Sequence, residues 1–367
     1  LTIPYNHPAA VEACRSKFRM REIFRDAGLL APWFRTISLN PLPEPALLNI
    51  SYPCVLKPLS LSASQGVIRA NDRREFIAAA KRIRTLLESP EIRATREANL
   101  DQILVEGYIP GREVALEGLM TDGVFRSLAI FDKPDPLDGP FFEESIYVTP
   151  SSFPQSQQRA IENCAAQSAI AMGLTHGPVH AEFRINDNGI WPLEIAARPI
   201  GGLCARALRF VQADESLQAS AVEPTGSQAS ANPTARSSAH IKDTESSIGL
   251  EELLLRHTLS LPASDWQREA SASAVMMIPV PNSGILERID GEEAARNSPQ
   301  ITDLLITARL HDYIAAWPEG ASYLGFLFSR AETPEQAEHA LRRAHRELCF
   351  TLTPRLQVQH PSRQTAT

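Results

Sequence analysis

The sequence predicts an α+β protein, and three observations carry that expectation. A short apolar strand, a small-residue loop, a second strand and a capped helix succeed one another over residues 52–87. Two strand signals flank Pro110-Gly111, and a hairpin signal surrounds Thr121-Asp122-Gly123. Val179–Ile185 and Ile190–Ile195 alternate apolar and polar residues, the period of a half-buried strand, around the turn formers Asn186–Gly189.

In chain order, Pro8–Ala27 is predicted as one helix. Pro8 fits a first turn, Val11, Cys14, Phe18, Arg21 and Phe24 fall near one face, and Gly28 suits the cap. Lys17 lies inside it, where a lysine is ordinarily a solvated charge. Asn40–Pro45 is a connector. Tyr52–Pro58 is a strand that carries Lys57 near its end; Ser60, Ser62, Ser64 and Gly66 follow, then a strand at Val67-Ile68. Small residues let backbone N–H groups approach phosphate oxygens, and a strand-end lysine adds a compact positive charge for the same anion. The spacing is not that of a Walker A loop, and an exposed hairpin looks much the same. Asp72 and Glu75 form a capping box for a helix with Phe76, Ala80, Ile83 and Leu87 on one face.

Ile103–Glu117 reads as strand, tight turn, strand. Glu106 and Glu113 flank the turn, either as edge charges or as acceptors for an adenine amino group and a ribose hydroxyl. Pro154–Met172 is a helix with Ile161, Ala165, Ser168 and Met172 on one side. Asp214–Ser247 has few large apolar residues and reads as a flexible surface insert. A helix resumes at Leu250–His257. Ala274–Pro279 and Ile285–Ile289 read as a hairpin around a Pro-Asn-Ser-Gly turn, and Ile301–Leu310 and Ser322–Phe328 add strand signal. Thr333, Pro334 and Gln336 open a last helix running through Ala337, Leu341, Ala344 and Leu348, and the tail after Pro354 reads as disordered.

The stretch 175–202 organises the rest. A three-residue loop, Asp187–Gly189, with Gly189 left-handed pairs Asn186 with Ile190 and sets Glu182 opposite Glu194. Facing like charges destabilise a strand pair, so a cation belongs between them. Mg²⁺ fits best, because it takes one or two protein carboxylates and completes its octahedron with water and phosphate oxygens. His180, Arg184 and Arg198 lie on the same face or just past it. The bland alternative is a wet acidic face with Arg184 paired to Glu182.

Composition sets outer limits. The 367 residues are 43% hydrophobic and 22% charged, ordinary for a soluble protein with room for two or three lobes. There is no apolar run of the ~18 residues a membrane span needs and no signal-peptide pattern. A net charge of -7 argues against a nucleic-acid partner. Five scattered cysteines without CxxC spacing read as reduced cytosolic thiols rather than a disulfide framework or zinc site, so a cytoplasmic protein is expected. The chain opens at Leu1 without a methionine, which reads as a fragment or a processed form.

Lys17, VLKP with its Ser-rich loop, VEGYIPGRE (residues 105–113), HAEFR (180–184) and LEIAARPIGG (193–202) together resemble the ATP-grasp superfamily in order, type and approximate spacing. The set is most similar to its carboxylate–amine ligase branch, the L-amino acid ligases. Their C-terminal lobe also has a proline-rich hairpin and an LPEG-like turn, here Trp317-Pro318-Glu319-Gly320 before SYLGF. The resemblance implies an ATP-grasp fold, two α+β lobes closing on ATP. It divides the chain into an N-terminal helix and linker (1–50), a small lobe or lid (51–108), a large lobe with the metal site (109–212), the insert (213–247) and a C-terminal α+β part of the large lobe (248–367). Family members also carry an N-terminal nucleotide-fold-like lobe of roughly a hundred residues, at whose end this sequence begins.

The resemblance also implies roles. Lys17 and Lys57 contact the α- and β-phosphates, with the Ser62, Ser64 and Gly66 loop a lid over them. Glu106 lies against the adenine amino group, the backbone near Tyr108 and Ile109 lines the base, and Glu113 holds the ribose. Glu182 and Glu194 bind Mg²⁺, with Mn²⁺ as an alternative ion. Arg198 steadies charge on the reacting acyl centre, and His180 is either a substrate contact or a structural histidine. Many members have Asn two residues after the second metal glutamate, whereas Ala196 here cannot ligate metal. Small carboxylates and amines, amino acids first among them, are the implied substrates, and a homodimer is compatible with the branch. A biotin-carboxylase-like enzyme and a nucleotide-binding module without turnover are the alternative readings.

Overall fold

The computed structural model of the chain describes residues 3–42, 49–59, 61–212 and 247–355. Ser60, residues 43–48 of the connector region, the expected insert up to residue 246 and the tail from 356 lie outside the described residues.

The expected single N-terminal helix is two helices, α1 (Pro8–Arg15) and α2 (Lys17–Asp26). Ser16 leaves helical geometry at φ -102, ψ 103, and its hydroxyl accepts from the Arg19 N–H, capping α2. A residue that competes for backbone hydrogen bonds breaks the pattern that side-chain periodicity suggests. The break starts α2 at Lys17.

Strands β1 (Phe34–Ser38), β2 (Cys54–Pro58), β3 (Ile68–Ala70) and β4 (Gln102–Gly107) form an antiparallel sheet in the order β1-β4-β2-β3. Helix α3 (Arg73–Leu87), capped by Asp72, covers it. Its Phe76, Ala80, Ile83 and Leu87 are buried with Leu56, Ile103 and Val105, and α4 (Pro90–Ala94) follows.

The bend at Pro110-Gly111 is not the tip of a hairpin. It carries the chain from β4 in the small sheet to β5 (Arg112–Thr121) in a different one. Gly111 has φ +125, and a Cβ there would lie 2.2 Å from the Ile185 carbonyl oxygen, so glycine is what permits the crossing.

The second sheet has eight strands. β5 is joined by β6 (Val124–Asp132), β7 (Ile146–Thr149), β8 (Gly177–Asn186) and β9 (Gly189–Ala196), with α5 (Gln155–Ala171) packed on this part. Then come β10 (Arg209–Gln212), β11 (Ile248-Gly249), α6 (Leu250–Thr258) and β12 (Trp266–Arg268), the strands forming a small sheet β11-β10-β12. β13 (Ala272–Ile278), β14 (Gly284–Asp290), α7 (Glu292–Arg296), β15 (Ile301–Ile306), β16 (Tyr313–Ile314), β17 (Gly325–Ala331), α8 (Pro334–Glu347) and β18 (Cys349–Thr353) complete the described chain. The large sheet runs β15-β17-β13-β7-β6-β5-β8-β9, and β14 lies between β16 and β18 in a fourth sheet. The hairpin expected across residues 274–289 therefore does not form. Pro279 and Pro281 have no N–H for a ladder next to the turn, and β13 pairs with β7 and β17 instead. Among the described residues no helix is long and apolar enough to cross a membrane.

The β8–β9 hairpin sets Glu182 opposite Glu194 by a different route from the one expected. Its loop has two residues, Asp187 and Asn188, so Asn186 pairs with Gly189 and Ile185 with Ile190. A bulge then inserts Leu193 between Pro192, which faces Phe183, and Glu194. A shorter turn and one extra residue cancel, so the two carboxylates still share one face. Arg21 from α2 stabilises the bulge: its Nη1 donates to the carbonyls of Pro192 at 3.0 Å and Leu193 at 2.9 Å.

Candidate active site

A cleft opens where β2 and β4 of the small sheet face β5, β8 and β9 of the large one. Lys17, Lys57, Ser62, Ser64, Glu106, Tyr108, Ile109, Glu113, Glu182 and Glu194 line it. Its apolar wall comes from Val55, Val67, Leu137, Phe142 and Leu193. An apolar slot with a few convergent charges is the usual form of a small-molecule site.

Lys17 reaches the cleft from the first turn of α2 and donates to the Leu61 carbonyl. Burial lowers its pKa, while the charge of Glu194 supports its ammonium form. Gly66 does not line the cleft; it holds the loop. Ala63, Ser64 and Gly66 all have positive φ, and the Gly66 N–H donates to the Pro318 carbonyl at 2.8 Å. The Trp317-Pro318-Glu319-Gly320 turn supports this serine loop further: Trp317 Nε1 donates to Ala63 O at 3.2 Å, Gln65 Nε2 to Glu319 O at 2.7 Å, and Arg82 pairs with the Glu319 carboxylate.

Glu106 anchors two cations. It is 2% exposed; Arg21 Nε donates to Oε2 at 2.6 Å and Nη2 to Oε1 at 3.2 Å, while Lys57 Nζ lies 2.6 Å from Oε1. Both oxygens are thus engaged by side chains, at the place where the resemblance puts an adenine contact. Burial alone would push its pKa up, but Arg21 and Lys57 outweigh it and bring it down to about 2. The ionised carboxylate therefore contributes stability that is full above the unfolded value of 4.5 and is lost as pH falls toward 2. The unfolding free energy of the native chain is expected to drop by on the order of 3 kcal/mol more than that of Glu106→Gln across that window. Parallel pH slopes in denaturant titrations of the two proteins would refute this assignment.

Glu113 accepts from Lys133 Nζ at 2.7 Å and Arg184 Nε at 2.9 Å. Arg184 is thus not the partner of Glu182. Its other donors go to the carbonyls of Ile109, at 2.7 Å, and Leu137, which ties the hinge between the sheets to the cleft wall.

Glu182 meets Lys133 Nζ at 3.0 Å and His180 Nε2 at 3.6 Å. Burial raises its pKa, but those cations hold it well below the usual carboxylate range. Among the described residues no hydrogen bond or ion pair engages Glu194. A carboxylate that makes no hydrogen bond or close ion pair, facing a second carboxylate across a strand pair, suits a divalent ion.

His180 and Arg198 do not line the cleft. His180 is buried with Nδ1 2.5 Å from Glu117 Oε1; burial would lower its pKa, but Glu117 and then Glu182 push it up to about 10. Glu117 Oε2 also accepts from the Ile200 N–H at 2.9 Å, so the same carboxylate fixes the segment just past Arg198. Arg198 is exposed and donates to the Pro199 carbonyl at 2.8 Å.

Arg21, Glu117, Lys133 and Glu144 were not singled out by motif. Two of them carried a legible signal: Arg21 sits on the apolar face of its helix near Phe18 and Phe24, and Glu117 interrupts the uncharged run from Val114 to Met120. A charge on a buried stripe must have a partner.

Fold and cleft together define an ATP-grasp protein, and residues 50–207 match the ATP-grasp domain family. Residues 276–353 match the L-amino acid ligase C-terminal domain 2, so the chain carries an ATP-grasp domain followed by that module. It is similar to the alanine–anticapsin ligase of Bacillus subtilis (strain 168), 27% identical over 192 residues that cover 49% of this chain and 40% of that protein. A D-alanine–D-alanine ligase of Aromatoleum aromaticum is 25% identical over 193 residues, 52% of this chain and 58% of its own length. The match to both relatives therefore spans less than two thirds of either. A crystal structure of an L-amino acid ligase from Bacillus licheniformis superposes with a TM-score of 0.73 at 25% identity, covering 95% of this chain and 76% of that one.

Proposed function

We propose that the protein is an ATP-dependent, ADP-forming ligase that joins a carboxylate to an amine through an acyl phosphate, with amino acids as substrates. The observation that carries this reading is the Glu182–Glu194 pair on a cleft wall faced by Lys17 and Lys57. Ligases among the relatives support the reaction class.

In this reading the apolar slot beside Tyr108 and Ile109 takes the adenine, Glu113 the ribose, and the serine loop the phosphates. Lys17 and Lys57 bring positive charge to the phosphates, the electrostatic requirement of phosphoryl transfer. A Mg²⁺ ion held by Glu182 and Glu194 would neutralise charge on the transferring group. A carboxylate oxygen attacks the γ-phosphorus and ADP leaves; the amine nitrogen then attacks the acyl carbon, and phosphate departs with that oxygen. Arg198, carried by the segment that Glu117 fixes, serves as the donor to the tetrahedral oxyanion.

Oxygen-18 placed in the carboxylate of an amino acid substrate should therefore appear in released phosphate. Label in AMP would replace the reaction class with adenylation, and nucleotide binding without ADP release across amino acid pairs would leave a binding module.

Ala196 leaves a gap in the metal wall. It pairs across the strands with His180, two residues beyond Glu194 and on its side of β9. A second ion would have only Glu194, phosphate oxygens and water, so turnover is expected to require free Mg²⁺ beyond saturating MgATP. Ala196→Asn, which adds an oxygen ligand, should lower that requirement. Turnover measured against free Mg²⁺ at fixed MgATP decides it: coincident curves for the two proteins would show that position 196 costs nothing.

A further inference from the structure

We propose that Lys133 is the resident cation of the cleft floor, a positioning residue that holds Glu113, Glu144 and Glu182 together in the nucleotide-free protein and keeps a divalent ion off them. The inference deepens the reading of Glu182 as a metal ligand and rests on it. Carboxylate oxygens of these three residues lie within 4.8 Å of one another, a spacing that could hold a metal ion. The space among them already contains an ammonium. Lys133 Nζ lies 2.7 Å from Glu113, 2.5 Å from Glu144 and 3.0 Å from Glu182, and its side chain is 3% exposed. A lysine has three N–H donors on one compact charge, one for each carboxylate, where the planar fork of an arginine would not match three converging oxygens.

The residue is fixed from both ends. It follows β6 directly, its backbone N–H donates to the Glu113 carbonyl at 3.2 Å, and its ammonium lies 5.1 Å from the centre of the Tyr147 ring. Two consequences follow for the metal wall. Glu182 is shared between Lys133 and any incoming ion, and Glu194 makes no hydrogen bond or close ion pair and feels only the more distant charge of Lys17. An ion entering without nucleotide finds too few ligands, whereas one arriving with phosphate oxygens brings its own. Metal loading is thereby tied to nucleotide loading, and the facing glutamates are tolerated in the free protein because Lys133 neutralises one of them.

The test is a Mn²⁺ titration of the full chain without nucleotide, free ion being read by electron paramagnetic resonance. The native protein should show no site tighter than millimolar. Lys133→Met should gain one Mn²⁺ per chain, bound about 10–100-fold more tightly, the range over which groups bonded to a metal ligand change its affinity. Glu144→Gln added to Lys133→Met should remove the gain. A merely structural lysine would not create a metal site on removal. Tight nucleotide-free binding by the native protein overturns the proposal without any variant, and so does a folded Lys133→Met, or Lys133→Gln where the methionine variant does not fold, that binds Mn²⁺ no better than native. A parallel MgATP titration of the native chain separates the two levels: failure to bind nucleotide removes the ligase reading, while the Mn²⁺ result still decides the role of Lys133.

Discussion

Glutamine in place of Glu182 or Glu194 is expected to lower Mg-dependent ATP turnover by about three orders of magnitude, because the charge stabilisation a catalytic metal supplies is several kcal/mol and each 1.36 kcal/mol is tenfold in rate. The fold should survive both changes. Glu194 has no hydrogen-bond partner among the described residues, so its replacement breaks no hydrogen bond and takes away only the charge that supports the Lys17 ammonium. At position 182 the glutamine carbonyl can still accept from Lys133, which keeps Glu113 and Glu144, and His180 keeps Glu117. ADP release at saturating nucleotide, measured beside thermal unfolding, separates chemistry from stability. Near-native turnover in either variant would remove that glutamate from the metal site.

The facing glutamates were legible from alternation alone, but the reason they face each other was not. Sequence pattern gives the period of a strand and the position of a turn; it does not show a bulge, because one inserted residue leaves the local residue types unchanged. Here a two-residue loop and the Leu193 bulge compensate, and the expectation reached the right pair through the wrong register. The two hairpins expected at residues 103–117 and 274–289 failed for a related reason. Local pattern identifies strands, while their partners depend on long-range packing: β4 and β5 lie in different sheets, as do β13 and β14. Helix α3 was fully legible because its cap and its buried face are both local. The lining residues Lys17, Lys57, Glu106 and Glu113 could be named from a resemblance, yet their partners could not. Arg21 is 85 residues from Glu106 and Lys133 is 49 from Glu182, and no spacing rule links positions so far apart.

Arg21→Met is expected to destabilise the protein by about 3–5 kcal/mol, the cost of removing one member of a buried ion pair. Arg21 and Glu106 are each 2% exposed, so the carboxylate left behind would keep only Lys57, which is itself partly open to the cleft. The carbonyls of Pro192 and Leu193 would lose their donor in the same step. That second loss ties stability to the site, because those carbonyls form the bulge that delivers Glu194 to its place opposite Glu182. Removing the stranded charge should recover part of the loss: Arg21→Met with Glu106→Leu should be less destabilised than the sum of the single variants, as coupled neighbours are. The remainder reflects the bulge, and it should persist in the double variant as weakened binding of MgATP. Urea unfolding of the four proteins with nucleotide titrations on each supplies the cycle. A single Arg21→Met variant within about 1 kcal/mol of native would show that Lys57 alone suffices to neutralise Glu106, and strictly additive variants would separate the bulge from the ion pair.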